Sequence, residues 1–399
     1  MSETQQTATT LRHLNVTIIG AGIGGLAAAL ILQRKGAQVT VLEQSEAVSE
    51  VGAGLQITPN GLAVLTALKL NDAVAWSSQR AKAVVLRGHR DGAEVLRLDL
   101  DQYAADLRYY FVHRADLIKI LVVAAREAGV QVRLLQKVER VDCGPKPIVH
   151  LANGAQCGGD LVIGADGLHS QARRALNVAS QPFFTGQVAW RAIVPNHSKL
   201  PAEAQVFMGP GCHLVAYPLR DGAMVNLVAV QERRAWAEEG WHLPDDPENM
   251  RGAFAGFGGE AHQLLSQVQD CALWGLFRHP VAPHWHRGAV ALLGDAAHPT
   301  LPFMAQGGNL ALEDAWVLGE ALVAQSGDIP AALESYQRHR RDRATKVVGA
   351  ASRNAWKYHL RPPFSWPAHQ ILKLGGRFAP QKMVSQFDWI YRHDVTKQG

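Results

Sequence analysis

The sequence predicts an α/β protein: a Rossmann-like domain assembled from separate stretches of chain, an inserted antiparallel sheet and C-terminal helices. Three observations predict it. Residues 15–44 run strand, glycine turn, helix, strand; two later apolar runs end in Gly-Ala-Asp-Gly and Gly-Asp; and residues 181–279 change to short alternating runs broken by turn signals. The chain has 399 residues, and at about 150 residues per domain that suggests two or three. Apolar residues make up 47% and charged residues 19%, a globular composition that excludes a disordered chain. Forty basic against 35 acidic residues leave a net charge of +5, too dilute to argue for nucleic acid.

The first fourteen residues are polar and lack an apolar signal core, so they read as a loose tail on a cytoplasmic protein. Val16 to Leu32 carries no charge and approaches the roughly 18 residues of a membrane span. Gly20, Gly22, Gly24 and Gly25 interrupt it directly after a β-branched run, so a strand, a turn and a buried helix explain it and no membrane partner is expected. Val16 to Ile19 is the strand, Gly20-x-Gly22-x-x-Gly25 the turn, Leu26 to Arg34 the helix, and Val39 to Leu42 the second strand. Gly20 permits the turn, Gly22 lets the backbone approach a pyrophosphate, and Gly25 lets the helix pack on the strand. The helix N-terminus offers free N–H groups to the anion. Glu43 ends the second strand, where an acid grips a ribose 2′-OH and disfavours a 2′-phosphate. The dinucleotide is therefore FAD or NAD, and not NADP.

The second motif is DLVIGADGLHSQAR at 160–173, where Leu161 to Ile163 leads into Asp166-Gly167 with Ser170 and Arg173 beyond. The third is GAVALLGDAAH at 288–298, ending in Gly294-Asp295. A glycine-rich turn and a helix from about Asn309 follow, aiming a second helix N-terminus at a cofactor. Gly209-Pro210-Gly211 and Gly256 to Gly259 do not make a second full fingerprint.

With these three motifs in this order, the chain resembles the class A flavoprotein monooxygenases, the single-component aromatic hydroxylases. The resemblance implies a GR2-type FAD-binding domain, discontinuous in sequence. It places Gly20, Gly22, Gly25 and Glu43 on the ADP half of FAD, and Arg114, in VHRADL, on the helix that approaches the cofactor. Asp166 would frame the FAD and nicotinamide sites, Asp295 would hold the ribityl chain, and the backbone of Gly307, Gly308 and Asn309 would lie beside the flavin ring. The loop VGAGLQITPN at 51–60 would run along the isoalloxazine with Gln56 near it. Taken singly, Asp295 would serve as a helix cap and Arg114 as a surface ion pair. NADH or NADPH would bind transiently, and O2 added at flavin C4a would give the hydroperoxide that hydroxylates an aromatic ring.

On the substrate side, Ala204 to Met208, Cys212 to Leu219 and Met224 to Gln231 read as strands, with turns at Gly209-Pro210-Gly211 and Asp221-Gly222. Period-two alternation puts His213, Val215 and Tyr217 on one face. An imidazole beside a phenol on an apolar wall suits a phenolic substrate whose deprotonation activates the ring. The GPxCHxVxYPL pattern resembles the 3-hydroxybenzoate 6-hydroxylase and 6-hydroxynicotinate 3-monooxygenase branch, salicylate hydroxylase being of the same group, and the matching histidine there implies a base role for His213. A half-buried histidine satisfied by its neighbours is the plainer alternative. Pro302 stands where the hydroxybenzoate enzymes carry glutamine, and Gln56 where the hydroxynicotinate enzymes carry histidine. Arg191 is a candidate fork for a substrate carboxylate, or a rim ion pair.

The expected organisation is a tail at 1–14, an FAD domain from 15–76, 104–180 and 280–345, a substrate domain from 77–103 and 181–279, and a helical segment at 346–399. Cys143, Cys157, Cys212 and Cys271 form no CxxC pair. His279, His284 and His286 lack a spaced carboxylate or thiol, so no metal is expected. The basic run Arg338 to Arg343 is expected on a solvated helix face. Residues 346–399, with Pro362, Pro363, Pro367 and Pro380 among Trp356, Trp366 and Trp389, should form broken helices closing over the FAD domain or a second subunit in a homodimer. The expected function is FAD-dependent hydroxylation of a hydroxybenzoate-like acid. An epoxidase, halogenase or reductase on the same fold, or a flavin redox sensor, are the alternatives.

Overall fold

The computed structural model describes residues 11–48, 54–178, 182–234, 243–325 and 328–397, without the side chains of 352–356. Its first layer is a six-stranded sheet in the order 286–287, 290–292, 161–164, 15–19, 38–42, 131–133. All pairs in it are parallel except 286–287 with 290–292. The strands that end in the three motifs lie side by side, so their C-terminal ends share one edge, where ligands bind in doubly wound sheets. The helices Ile23–Arg34, Arg114–Glu127 and Gly307–Ala324 pack around this sheet. Leu26, Leu30, Leu117, Leu121, Leu312 and Leu318 are fully buried, each worth about 1.5–3 kcal/mol of burial.

The second layer is an eight-stranded sheet in the order 243–245, 271–278, 183–195, 224–232, 212–219, 203–209, 83–88, 94–99. It is antiparallel apart from one pair, since Glu203–Gly209 runs parallel to Ala83–Gly88. The wholly antiparallel expectation fails at that pair because the connection is no hairpin: the chain passes through the first layer between the two strands. The faces of this sheet differ. Trp190, Leu214, Leu227 and Leu273 pack one face against Met250, Phe254, Leu264 and Leu265 of two short helices. The other face looks across a cavity at the first layer.

Three expectations need correction. The tail is shorter than fourteen residues, because Leu11 and Leu14 are buried in the core of the first layer; residues 1–10 lie outside the described residues. The boundary at 345/346 falls inside one helix, Ile329–Tyr358, since no proline occurs between Pro330 in its first turn and Pro362. The basic run is a solvated helix face only in part. Arg338, Arg341 and Asp342 are exposed, but Arg340 turns inward onto Glu313 and Asp314 at 2.6 and 2.7 Å, and Arg343 pairs with Glu313 at 2.8 Å. Residues 340, 343 and 344 share the face of Tyr336 and Val347, which packs on the buried acids. The segment Val16 to Leu32 forms the strand, turn and helix, and among the described residues no helix is long and apolar enough to cross a membrane.

Candidate active site

The site begins at the first turn. Gly20 sits at φ +101°, with the Ala165 carbonyl where a Cβ would go. A Cβ on Gly22 would meet no protein atom, whereas one on Gly25 would drive into the Gly20 carbonyl. Gly22 caps the Ile23–Arg34 helix without a side-chain hydrogen bond, so the N-terminal N–H groups face open space. Glu43 closes over the turn: its Oε2 accepts from the Ala21 N–H and its Oε1 from the Ser45 N–H, each at 2.9 Å.

From here a cavity of about 1000 Å³ runs between the layers, lined by Gly20, Gly22, Glu43, Gln56, Arg114, Asp166, Asp295, Gly307 and Gly308 on the first layer's side. Asp295 lies deep in the protein, yet its side chain is exposed to the cavity. Burial pushes its carboxyl up, opposed by the charges of His298 and Arg114. Burial and the nearby Arg191 charge lower the Arg114 guanidinium, while Asp295 acts against them. The Gly307–Ala324 helix starts two residues before the expected Asn309, so Gly307 and Gly308 put a second bare N-terminus on the cavity. A dinucleotide fits this half: an open cradle at Gly22, unpartnered helix N–H groups for its phosphates, and acids placed for its hydroxyls.

Two residues given to the cofactor have their side chains engaged by protein. Asp166 accepts from the Ser170 hydroxyl at 2.5 Å and from the N–H groups of Gln171 and Ala172 at 2.7 and 3.3 Å, so it caps the short helix Gln171–Leu176 while also lining the cavity. Asn309 is buried and does not line the cavity. Its Nδ2 donates to the carbonyls of Gln56 and Ala305 and its Oδ1 accepts from the Thr58 N–H, which pins the strand Gly54–Ile57 beside the helix start. Of the loop 51–60, residues 51–53 lie outside the described residues. Arg173 ties the second motif to the third, donating to the carbonyls of Ala296, Ala297 and Pro280.

The opposite wall is the inner face of the eight-stranded sheet. His213, Val215 and Tyr217 all line the cavity. Register sets their neighbours: His213 pairs with Val230 and Met208, and Val215 with Val228, which pairs in turn with Arg191. The wall is thus apolar apart from Arg191, His213, Tyr217 and the neighbouring Asn226. Arg191 stacks on the Trp274 ring at 4.7 Å; its Nε has no hydrogen-bond partner, and no carboxylate among the described residues pairs with it. It is therefore no rim ion pair. Burial pushes the Tyr217 phenol well up, against Arg191, Gln56 and Asn226, so it stays protonated. Gln56 accepts from the Tyr109 hydroxyl. Burial, then the charge of His359, pushes His213 well below its usual range.

Leu301, Pro302 and Phe303 form the rim between the two halves, with the Phe303 ring 5.7 Å from that of His213. Burial lifts the Cys212 thiol to about 11, which leaves it no nucleophile. Among the described residues no metal-sized cluster of His, Cys, Asp and Glu occurs, His279, His284 and His286 included. Sequence reasoning missed Asn226, Phe303, Tyr391 and His359. Strand alternation would have found Asn226. No local signal ties His359 to a site 146 residues away.

Residues 13–351 match the profile of the FAD-binding-domain family. The 3-amino-4-hydroxybenzoate 2-monooxygenase of Streptomyces cremeus is 34% identical over 358 residues, covering 88% of this chain and 89% of that protein. The 3-hydroxybenzoate 6-hydroxylase of Polaromonas naphthalenivorans strain CJ2 is 33% identical over 393 residues, covering 96% of each. A salicylate hydroxylase solved as its substrate complex superposes with a TM-score of 0.81 at 26% identity, covering 96% of each chain.

Proposed function

The chain belongs to the FAD-binding-domain family as a class A flavoprotein monooxygenase that hydroxylates a small aromatic acid, and from that premise we propose that its substrate is a phenolic carboxylate held between Arg191 and His213. One observation carries this reading: a half-buried guanidinium, its Nε shut away from water with no hydrogen-bond partner and no acid among the described residues against it, stands with a buried imidazole on the same apolar wall. A buried cation is costly unless an anion meets it, and a substrate carboxylate supplies that anion through a bidentate fork.

The reductant is NADH or NADPH, bound transiently. FAD, when bound along Gly20, Gly22, Glu43, Asp295 and Gly307, supplies the redox chemistry with O2 as the oxygen donor. The protein's own work is positional. Arg191 anchors the carboxylate, Tyr217 donates a hydrogen bond and fixes the ring, and Val215, Val228 and Pro302 exclude water. His213 takes the phenol's proton, which raises electron density in the ring. Its lowered proton affinity keeps it neutral, with a lone pair free for that proton, throughout the neutral range.

A homodimer belongs to the same reading. Trp366, Ile371, Leu374 and Phe378 are exposed on the helix Ser365–Phe378, and a second copy is the expected cover, to be read by sedimentation equilibrium.

The test is NADH and NADPH oxidation in air against a panel of phenolic acids, with hydrogen peroxide followed in parallel. Stimulation by a carboxylated phenol with little peroxide is the expected result. His213→Ala should keep FAD and lose hydroxylation by about 10²-fold, with coenzyme oxidation diverted to peroxide. Wild-type turnover in that variant would overturn the base assignment. For the wild type, kcat/KM should stay flat as pH falls through 6.5, because the buried imidazole gains its proton only well below that value.

A further inference from the structure

His213 does not stand alone. Its Nδ1 lies 2.6 Å from Nε2 of His359, and Nδ1 of His359 lies 3.1 Å from Oε1 of Glu232. Arg361 holds the second carboxylate oxygen at 2.7 Å. Both imidazoles are buried, while the Glu232 side chain is 38% exposed. We propose that His359 and Glu232 are positioning residues that fix the tautomer of His213 and carry the substrate's proton from the buried wall to solvent. This rests on His213 being the base.

The tautomers follow from the outer end. An ionised carboxylate only accepts, so His359 carries its hydrogen on Nδ1 and leaves Nε2 bare. That bare nitrogen accepts from Nδ1–H of His213. The lone pair of His213 therefore sits on Nε2, the nitrogen the chain does not use, in a side chain that lines the cavity. When Nε2 takes the phenol's proton, His213 gives its Nδ1 proton to Nε2 of His359. His359 gives its own Nδ1 proton to Oε1 of Glu232, which releases it to water. One O–H bond breaks in the substrate, one proton reaches solvent, and no positive charge remains on either imidazole. A proton returning by the same route to the product phenolate resets both rings. Without this route an imidazolium would persist where burial opposes it.

The surrounding residues hold the chain straight. Gly211, at φ +74°, donates its N–H to the His359 carbonyl at 3.1 Å and accepts from the Glu232 N–H at 2.9 Å. A Cβ there would come within 2.7 Å of Arg361 Nη2. The turn read from Gly209-Pro210-Gly211 thus joins all three relay residues. The rings of Phe303 and Tyr358, 5.7 and 5.2 Å from that of His213, close its remaining sides. Burial lifts the Tyr358 hydroxyl to about 12, so it stays protonated. Glu232 faces Arg361, and Cys212 lies in its field.

Two measurements test this. The first is histidine ¹⁵N NMR of the FAD-loaded enzyme with no other ligand, using His213→Gln and His359→Gln to assign signals. Both rings should be protonated at Nδ1 and bare at Nε2, and Glu232→Gln should mix the tautomers of His359. A hydrogen on Nε2 of His213 in the wild type would overturn the proposal. The second follows phenolate absorbance after rapid mixing with 3-hydroxybenzoate. Glu232→Gln and His359→Gln should bind it with unchanged Kd and ionise it about tenfold more slowly or worse, while His213→Gln should not ionise it. Wild-type ionisation in the first two variants with failure in His213→Gln would sink the relay and leave the base standing. Wild-type ionisation in His213→Gln would sink both.

Discussion

Gly22 and Gly25 stand three residues apart and answer different demands, and substitution separates them. Gly22→Ala puts a methyl into open space, so the apoprotein should melt as the wild type does while its FAD dissociation constant rises. Gly25→Ala pushes a methyl into the Gly20 carbonyl, and overpacking of this kind costs about 1–3 kcal/mol. It should lower the melting temperature of the apoprotein itself. Equal melting of the two apoproteins would refute the division. Arg191 offers a second contrast. A hydrogen bond to a charged group contributes about 1.5–3 kcal/mol, so Arg191→Gln should raise KM for a carboxylated phenol by about tenfold or more. The corresponding phenol without a carboxylate should be indifferent to the change. At this scale the sequence marks positions better than recipients. The motif spacing brings Asp166 and Asn309 to the right place, but a short polar side chain there can serve a ligand or brace its own loop. Only the contacts in the fold, to Ser170 and Gln171 for one and to Gln56 and Thr58 for the other, tell which.

The helices Gly307–Ala324 and Ile329–Tyr358 are joined by buried charges as well as by apolar side chains. Glu313 and Asp314 are fully buried and are met by Arg340, Arg343 and His298. Arg343 also donates to the carbonyls of Trp389 and Ile390, so the same cluster fixes the C-terminal turn whose Tyr391 lines the cavity. Removing one partner from such a cluster strands a buried charge, and Arg340→Met should cost about 3–5 kcal/mol in urea unfolding. Burial alone would raise the Asp314 carboxyl, but His298 and Arg340 outweigh it and hold it at about 2, below its ordinary 3.8. A depressed carboxyl stabilises the fold above its unfolded value and loses that contribution as pH falls. Stability should therefore drop between about pH 4 and pH 2, by on the order of 2 kcal/mol from this group. Asp314→Asn should be weaker at neutral pH and show a shallower acid decline. The helices were legible from composition, and the strands of the first layer from their β-branched runs. The inward turn of Arg340 was not, because a basic run looks the same whether water or buried acids face it.

At the scale of the molecule, the two layers and their order were legible because each is written locally, in a fingerprint or in strand alternation. What joins them was not. The parallel pair of 83–88 with 203–209 and the approach of His359 to His213 depend on contacts across more than a hundred residues of chain, and the seat of the C-terminal turn on one across 46. The eight-stranded sheet also has a consequence for descent. Alternation assigns each of its central strands two sets of residues, one packed under the short helices around Trp190 and Phe254, the other facing the cavity. Foldability is thereby written on odd positions and preference on even ones, or the reverse, along the same stretch of gene. Single mutations at Val215, Val228, Val230 or Trp274 can sample new ligands while the buried face stays intact, so lineages on this scaffold can drift from one aromatic acid to another without passing through an unfolded ancestor.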